Sequence, residues 1–223
     1  MAELSSWFDD TFASQRFMAI LRGFPPERTV ELATRAWSLG LDCVEIPIQT
    51  PEAVASLRAA VAAGGECGRR VGAGTVTTVD QVGVARASGA AFTVAPGLDL
   101  EVLHASLGCG LPHLPGVATA TEIQEASHQG IRWLKAFPAS VYGPGWFSAM
   151  SGPFPEIHFV ATGGITAHNA TEYLTAGARV VAVGSALADE VQFELLAKLL
   201  ARGRPATDSA EDAHRERSRR APG

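Results

Sequence analysis

Two ionisable residues, Lys135 and Glu45, lie in short apolar segments, where a charge is costly without a partner or a task. Lys135 is near the end of the mainly apolar run 131–136, and Pro138 soon stops that run. The chain has two lysines against sixteen arginines, so ordinary surface charge does not explain Lys135. Unlike a guanidinium group, a lysine amine can lose its proton and attack a carbonyl to form a Schiff base.

A carboxylate and an amine that share one cavity are the pair that Schiff-base chemistry needs. Lys135 would supply the nucleophile, and Glu45 would move protons. Two simpler interpretations stay open at this point. In the first, Lys135 is an ordinary residue at a strand end, with its aliphatic stem buried and its amine in contact with water. The two residues together also fit a buried structural ion pair.

Eight short apolar runs, most of them followed by a helix-start signal, predict the elements that would hold these residues. The predicted strands are 17–21, 43–46, 71–76, 91–94, 111–114, 131–136, 157–161 and 180–183. Pro115 and Gly116 are expected to end the fifth. The predicted helix N-caps are Thr50, Thr78, Asp99, Thr119 and Thr166, with Gln81 and Glu122 completing capping boxes on Thr78 and Thr119.

Eight strand–helix units over residues 17–183 predict a single-domain α/β fold, a closed (β/α)8 TIM barrel with an N-terminal helix at 3–15. An open doubly wound sheet is the alternative. The barrel domain is expected to span residues 1–201. Residues 202–223 are polar and charged, which predicts a disordered tail. We interpret the arginines of this tail as a solvated end; they are Arg215, Arg217, Arg219 and Arg220.

Composition excludes several classes of protein. A net charge of −5 does not indicate a protein that binds nucleic acid, and no apolar run is long enough to span a membrane. Three widely spaced cysteines fit a reducing compartment better than a disulfide framework. We therefore expect a soluble, cytoplasmic protein whose partners include neither nucleic acid nor membrane.

Metal and dinucleotide sites find little support. The six histidines form no HxH or HxxxH pair, and a single metal on Glu45 would have no further ligand motif. The GAG sequence at 72–74 lacks the third glycine of a dinucleotide fingerprint, because Thr77 stands there. We expect no metal and no cofactor. His113 and His158 lie in predicted strands and are interpreted as satisfied residues of the barrel wall.

Glycine-rich turns follow the last two predicted strands. Gly163 and Gly164 follow the seventh, and Gly184 and Ser185 follow the eighth. Many barrels bind a phosphate at these positions through backbone N–H groups. The alternative is that the glycines end the strands for steric reasons. Arg22, at the end of the first strand, fits either a carboxylate clamp or an ordinary rim arginine.

Six short motifs occur in one consistent order between residues 17 and 200. They are AILRG at 19–23, VEIP at 44–47, GAGTV at 72–76, PG at 115–116, LKAFP at 134–138 and TGGI at 162–165. Together they resemble the 2-keto-3-deoxy-6-phosphogluconate aldolase family, which includes 4-hydroxy-2-oxoglutarate and 2-dehydro-3-deoxy-6-phosphogalactonate aldolases. The resemblance implies a metal-free class I lyase of carbohydrate metabolism, usually a homotrimer. Its substrate would be a 2-keto-3-deoxy-6-phospho-sugar acid, cleaved to pyruvate and glyceraldehyde 3-phosphate.

The resemblance also implies roles for single residues. Lys135 would be the Schiff-base lysine and Glu45 the general acid and base. Thr75 and Pro96 would line the pyruvate end, with Arg22 near the carboxylate. The other matched substrate-binding positions are Gln49, Phe137, Thr162, Gly163, Gly164, Gly184 and Ser185, and the three glycines and Ser185 would bind the phosphate.

Three positions leave the configuration of the substrate open at C4. Gln49 and Pro47 replace an arginine and a threonine of many phosphogluconate-type members and resemble the galactonate branch, whereas Thr162 resembles the gluconate branch. Three other functions compete with this one. They are a 4-hydroxy-2-oxoglutarate aldolase, a phosphate-binding barrel such as an isomerase or thiamin-phosphate-type synthase, and a non-catalytic ligand-binding barrel.

Overall fold

The structure is a computed structural model that describes the backbone of residues 2–203, and side-chain surroundings for residues 6–184 and 186–201. The predicted tail, 202–223, differs at its start, because residues 202 and 203 belong to the last helix; the rest of it, with Arg215, Arg217, Arg219 and Arg220, lies outside this description. Its strands are β1 Phe17–Ile20, β2 Cys43–Pro47, β3 Arg70–Gly74, β4 Thr93–Val94, β5 His113–Leu114, β6 Gly116–Val117, β7 Trp133–Ala136, β8 His158–Thr162 and β9 Val180–Val183.

Helices follow the strands as the sequence predicts, with short additional helices near the end of β7. They are α1 Ala2–Thr11, α2 Pro26–Ser38, α3 Pro51–Glu66, α4 Val79–Ala87, α5 Leu100–Gly108, α6 Ala120–His128, α7 Ala139–Tyr142, α8 Pro144–Ser151, α9 Ala170–Thr175 and α10 Glu190–Gly203, with a 3-10 helix at Ser185–Leu187. None of the helices within residues 2–203 is long and apolar enough to cross a membrane.

All strand pairs are parallel, and the sheet order is β5-β4-β3-β2-β1-β9-β8-β7-β6. β5 lies within the fifth predicted strand, 111–114, and β6 follows it directly beyond Pro115, so the sheet closes into a barrel where the two meet. The (β/α)8 prediction is confirmed, and the open-sheet alternative is wrong. β5 ends at Leu114, directly before Pro115, as expected, although Gly116 begins a new strand, β6, which pairs with β7. Proline interrupts the ladder because it has no N–H, but the Pro115 carbonyl accepts the Lys135 N–H at 2.9 Å.

The N-caps agree with the sequence at four of five positions. Thr50, Thr78, Asp99 and Thr119 accept hydrogen bonds from the first turns of their helices, and Glu122 completes the capping box on Thr119. The Gln81 side chain accepts from the Thr77 N–H instead of the Thr78 N–H, so that predicted box is displaced by one residue. The prediction for Thr166 is wrong. Asn169 occupies the N-cap of α9 and accepts the Thr166 N–H at 2.8 Å, because a turn intervenes before the helix.

The N-terminal helix α1 closes the amino end of the barrel and stops at Thr11, earlier than the predicted residue 15. The ring of Phe12, directly after the helix, lies 5.1 Å from the Trp133 ring, and Asp9 of the helix accepts the Trp133 indole N–H at 2.8 Å. Phe8 packs in the same cluster as interior residues of the strands. This end of the barrel is therefore filled with aromatic side chains, which leaves the carboxyl end for a ligand.

Side chains along each strand alternate between the barrel interior and the helices. Cys43 and Trp133 belong to the interior cluster, whereas Val44 and Leu134 pack in the cluster that contains the helices. Glu45 is two residues beyond Cys43, and Lys135 is two residues beyond Trp133. Both ionisable side chains consequently face the interior, one layer nearer the carboxyl end than the aromatic plug.

Candidate active site

Lys135 on β7 and Glu45 on β2 meet inside the barrel. Their exposed fractions are 2% and 1%, and the Lys135 Nζ lies 3.8 Å from the Glu45 Oε1. This separation is an ion-pair distance but is too long for a direct hydrogen bond. A solvent-reaching amine, the first of the simpler interpretations, is not what the structure shows. A substrate oxygen or a water that lies between the two groups can contact both.

Glu45 has an unmatched acceptor. Its Oε1 is buried and has no hydrogen-bond partner among the described residues. A buried carboxylate oxygen without a partner is costly, and such groups concentrate at functional sites. Gly74 on β3 lies directly beside this carboxylate, and a Cβ at Gly74 would overlap it. The absence of a side chain at Gly74 therefore makes the space that Glu45 occupies.

Phe137 lies next to the lysine amine. The Lys135 Nζ is 5.3 Å from the centre of the Phe137 ring. A Cβ built on Gly163 would lie 3.2 Å from the same ring, so Phe137 is held between β7 and the turn that follows β8. The Phe137–Pro138 peptide bond is cis. The Phe137 ring forms an apolar wall beside the amine.

Arg22 and Thr75 interact at the mouth of the barrel. The exposed Arg22 guanidinium donates from Nη2 to the Thr75 Oγ1 at 3.4 Å. Thr75 has φ +55°, a conformation that a β-branched residue rarely adopts. Strain of this kind costs about 1–3 kcal/mol and clusters at ligand sites. Thr75, the first residue beyond β3, makes its contact with Arg22 in this strained conformation.

Pro96 and Gln49 complete the edge on the β2–β4 side. Pro96 packs against Gly116, where a Cβ would overlap the Pro96 carbonyl. Gln49 is exposed, two residues beyond the end of β2. None of the contacts among the described residues joins Gln49 to the Lys135–Glu45 pair, so its predicted binding role rests on its position at the carboxyl end alone.

The predicted phosphate turn lies beyond β8. Thr162 is buried at the end of that strand, with its Oγ1 donating to the Val160 carbonyl at 3.4 Å. Gly163 and Gly164 have φ +94° and +74°, which L residues rarely adopt. Ser140 donates its N–H to the Gly163 carbonyl at 3.0 Å and ties the turn to the segment after the lysine strand.

The second glycine position lies beyond β9. A Cβ at Gly184 would be 3.2 Å from the Ile20 carbonyl of β1, so the two strand ends are in close contact there. Ser185 begins the 3-10 helix Ser185–Leu187. Topology places the ends of β8 and β9 side by side, since these strands are paired. The roles of Gly184 and Ser185 in phosphate binding stay predictions.

Sequence reasoning missed three residues as parts of the site: Gly74, Gly116 and Ser140. Gly74 and Gly116 lie within the motifs GAGTV and PG, and a glycine inside a strand signals that another group approaches the backbone closely. Ser140 carries no comparable signal. The part of the chain that the structure describes contains no group of three or more histidine, cysteine, aspartate or glutamate side chains able to hold a metal ion.

His113 and His158 both lie on strands, but His113 is only half satisfied. Its Nδ1 is 2.7 Å from the Thr93 Oγ1, which in turn is 2.6 Å from the Ser106 Oγ of α5. The buried Nε2 of His113 has no partner among residues 6–201 as described. Burial lowers the pKa of His113 to about 4, opposed by the charge of Asp99. Burial also lowers the pKa of His158, which packs against Trp133.

The fold and the site define a (β/α)8 barrel that carries a buried amine and carboxylate at the carboxyl end of its strands. The sequence model described as "KDPG and KHG aldolase" matches residues 9–198. KDPG is 2-keto-3-deoxy-6-phosphogluconate, and KHG is 4-hydroxy-2-oxoglutarate. The chain belongs to this aldolase family.

Named relatives come from both sugar-acid branches of the family. The chain is 41% identical to a 2-dehydro-3-deoxy-phosphogluconate aldolase of Treponema pallidum over 163 residues, 71% of this chain and 74% of the relative. It is 36% identical to the 2-dehydro-3-deoxy-6-phosphogalactonate aldolase of Escherichia coli over 171 residues, 76% of this chain and 83% of that one.

A solved structure shows the same fold. The KDPG aldolase of Legionella pneumophila has a TM-score of 0.75 and 30% identity, over 87% of this chain and 97% of that chain. In that crystal structure, pyruvate is captured at low pH as a covalent carbinolamine intermediate. A carbinolamine is the first product when an amine adds to a ketone, so that protein uses a covalent route.

Proposed function

We propose that the protein is a class I aldolase that cleaves a 2-keto-3-deoxy-6-phospho-sugar acid to pyruvate and glyceraldehyde 3-phosphate. The observation that carries this proposal is the buried contact between the Lys135 Nζ and the Glu45 Oε1, 3.8 Å apart at the ligand end of the barrel. The similarity to phosphogluconate and phosphogalactonate aldolases supports the substrate class.

Lys135 would begin the reaction as the nucleophile. Its amine adds to the C2 ketone of the substrate and gives a carbinolamine, which loses water to form an iminium ion. Glu45 lies close enough to move the protons of this dehydration, directly or through one water. The low exposure of both groups keeps bulk water away from the iminium.

Glu45 would then act as the base of carbon–carbon cleavage. It takes the proton of the C4 hydroxyl while the C3–C4 bond breaks, and the electrons of that bond move into the iminium. Glyceraldehyde 3-phosphate leaves, and an enamine of pyruvate remains on Lys135. Glu45 returns the proton to C3, and water hydrolyses the resulting iminium to release pyruvate and the free amine.

The surrounding residues would hold the two ends of the substrate. Phe137, Thr75 and Pro96 would line the pyruvate end, with Arg22 near its carboxylate and Gln49 at the rim. Arg22 and Thr75 are already in contact, and Phe137 lies beside the amine. The phosphate end would lie on Gly163, Gly164, Gly184 and Ser185, with Thr162 at the base of that turn.

Trapping with borohydride tests the covalent step. Protein incubated with pyruvate and sodium borohydride should gain the mass of one reduced pyruvate adduct on Lys135. Peptide mapping is unambiguous, because Lys198 is the only other lysine in the chain. An adduct on Lys198 alone, or none under conditions that trap a known class I aldolase, would refute the proposal.

A second candidate is 4-hydroxy-2-oxoglutarate aldolase, because the matching family description also names KHG. Its substrate carries a carboxylate where the sugar acid carries its phosphorylated end, and the covalent chemistry would be the same. Comparison of kcat/KM for that substrate and for both C4 epimers of the phosphorylated acids separates the candidates. The same assay gives the C4 preference.

We also infer a homotrimer in the cytoplasm, as the family resemblance implies. Val141 and Tyr142 support an interface, because they are neighbouring apolar residues with exposed fractions of 74% and 41%. Light scattering after gel filtration tests the mass of the assembly. A monomer at micromolar concentration would contradict it.

A further inference from the structure

Ser140 joins two segments that the proposed reaction uses. It lies on α7, five residues beyond Lys135, and its N–H donates to the Gly163 carbonyl at 3.0 Å. Its Oγ lies so close to Gly164 that a Cβ at that glycine would overlap it. The hydroxyl is therefore held at the face of the Gly163–Gly164 turn, between the lysine strand and β8.

The Ser140 hydroxyl has a free donor. Ser140 is exposed, and no hydrogen bond of its Oγ occurs within the described part of the chain. Serines on the next helix differ in this respect. The Ser148 Oγ donates to the Ala176 carbonyl at 3.0 Å, and the Ser151 Oγ donates to the Phe147 carbonyl at 2.8 Å. Those two hydroxyls are satisfied by the backbone, whereas that of Ser140 is available to a ligand.

We propose that the Ser140 hydroxyl donates a hydrogen bond to the terminal phosphate of the substrate and so contributes to the selection of phosphorylated sugar acids. This inference rests on the proposed function, since it needs a phosphate on the Gly163–Gly164 turn. The N–H bond to Gly163 fixes the backbone of Ser140, so that the hydroxyl has only its own rotation to adjust. A phosphate oxygen is a strong acceptor for such a donor.

The chemistry of the side chain makes a directional test possible. A serine hydroxyl is neutral and can donate a hydrogen bond to the phosphate dianion. An alanine side chain neither attracts nor repels the phosphate, whereas an aspartate carboxylate repels it. A hydrogen bond to a charged group corresponds to about 10- to 100-fold in kcat/KM. Alanine should reduce the preference for the phosphorylated acid by about that factor, and aspartate should reduce it further.

The experiment compares wild type, Ser140→Ala and Ser140→Asp with a 2-keto-3-deoxy-6-phospho-sugar acid and its unphosphorylated form. The inference predicts that Ser140→Ala lowers kcat/KM for the phosphorylated acid more than for the unphosphorylated one. Inorganic phosphate should also inhibit this variant more weakly than wild type. Ser148→Ala, which removes a hydroxyl from the neighbouring helix, is the matched control and should keep the wild-type ratio.

The outcomes separate this inference from the function on which it rests. Wild type that forms no borohydride adduct and cleaves neither substrate refutes the proposed function and the inference with it. Wild type that prefers the phosphorylated acid, with an unchanged ratio in folded Ser140→Ala and Ser140→Asp, overturns the role of Ser140 alone. Circular dichroism establishes folding, and an exposed position is expected to tolerate both changes.

Discussion

Gly74 and Glu45 are in direct contact across two neighbouring strands: the glycine lies against the glutamate carboxylate, where any Cβ would overlap Oε1. The strands that carry them are paired in register, with Glu45 beside Gly72 and Pro47 beside Gly74. The backbone of β3 thus forms one wall of the cavity in which the Glu45 carboxylate faces Lys135. The position of the proposed acid and base depends on a residue with no side chain.

We expect Gly74→Ala to displace the Glu45 carboxylate and lower kcat/KM by about 100-fold or more, since a shift of about 1 Å in a reacting group has that cost. Overpacking should also lower the free energy of unfolding by about 1–3 kcal/mol. Steady-state kinetics and urea denaturation measure the two effects.

Gly83→Ala is the matched control. Gly83 lies on the exposed face of α4, and a Cβ there has no neighbour within 4 Å. The same substitution should leave kcat/KM unchanged and raise stability by about 1 kcal/mol, because alanine favours a helix. Equal activity of the two variants would contradict a role for Gly74 in placing Glu45.

Lys135→Arg and Lys135→Ala should abolish carbon–carbon cleavage. Arginine keeps a positive charge beside Glu45 but cannot form the Schiff base, so it distinguishes a nucleophile from an ion-pair partner. Alanine leaves the carboxylate without its cation and should also be less stable. Lys198→Arg is expected to have wild-type activity. Cleavage near the wild-type rate in either folded Lys135 variant would rule out the covalent assignment.

Activity should persist in excess EDTA. In the proposed mechanism, the iminium on Lys135 accepts the electrons of the C3–C4 bond, the task that a divalent metal performs in other aldolases. The measurement is the rate of pyruvate release after dialysis against the chelator. Loss of activity that a divalent ion restores would place the protein in the metal-dependent class.

The phosphate is expected to dominate substrate choice. Binding energy from a remote anion can orient the ketone against Lys135, and loss of two hydrogen bonds to a charged group costs on the order of 10² to 10⁴ in kcat/KM. Wild type should therefore cleave the phosphorylated acids faster than unphosphorylated ones by that factor. Equal values would mean that the turns beyond β8 and β9 serve another ligand.

Gly164 lies in the turn beyond β8 that is proposed to bind the phosphate. Gly164 has φ +74° and contacts Ser140, so any side chain there is strained and displaces the serine. Gly164→Asp would combine this strain with repulsion of the phosphate. We expect it to erase the phosphate preference and to lower stability as well, so its kinetics need a parallel Gly164→Ala variant that carries the strain without the charge.

His113 should make the fold sensitive to acid. Its folded-state pKa is lowered to about 4 from an ordinary value of 6.5, so it is neutral in the fold and binds a proton more readily when unfolded. Its contribution to stability is complete above pH 6.5 and is lost as pH falls toward 4. Between pH 7.5 and 4.5, the loss is about 2 to 3 kcal/mol.

The test is the free energy of unfolding in urea at both pH values. His113→Leu removes the titrating group and should show a smaller loss on acidification. His168→Leu changes an exposed histidine and should keep the wild-type loss. If both variants lose as much as wild type, then His113 does not titrate between the two states as proposed.

The sequence alone determined the barrel and the faces of its strands. Eight apolar runs mark the strands, and four correctly predicted Thr or Asp caps mark helix starts between them, because these signals are local and act within one turn. The period of two along a strand places Glu45 on the face of Cys43, and Lys135 on the face of Trp133. One lysine in an apolar run of an arginine-rich chain was enough to suggest nucleophilic chemistry.

Local sequence signals did not decide the N-cap of α9, the pairing of the chain beyond Pro115 or the backbone conformation of Thr75. Thr166 and Asn169 are both good caps, and only the path of the turn after β8 assigned the position to Asn169. β5 ends before Pro115, as the missing N–H of proline predicts, yet the chain pairs again at once as β6, because the Pro115 carbonyl accepts the Lys135 N–H of β7. The positive φ of Thr75 runs against the preference of its residue type.

Tertiary structure alone decided the distances on which the chemistry depends. The 3.8 Å between Lys135 and Glu45, the contact of Gly74 with that carboxylate and the placement of Ser140 against Gly164 each join residues at least 24 positions apart in the chain. The closure and stagger of the barrel bring such residues together, and these depend on the packing of all strands at once. A local pattern therefore predicts which way a side chain points, but only the closed barrel fixes what it meets.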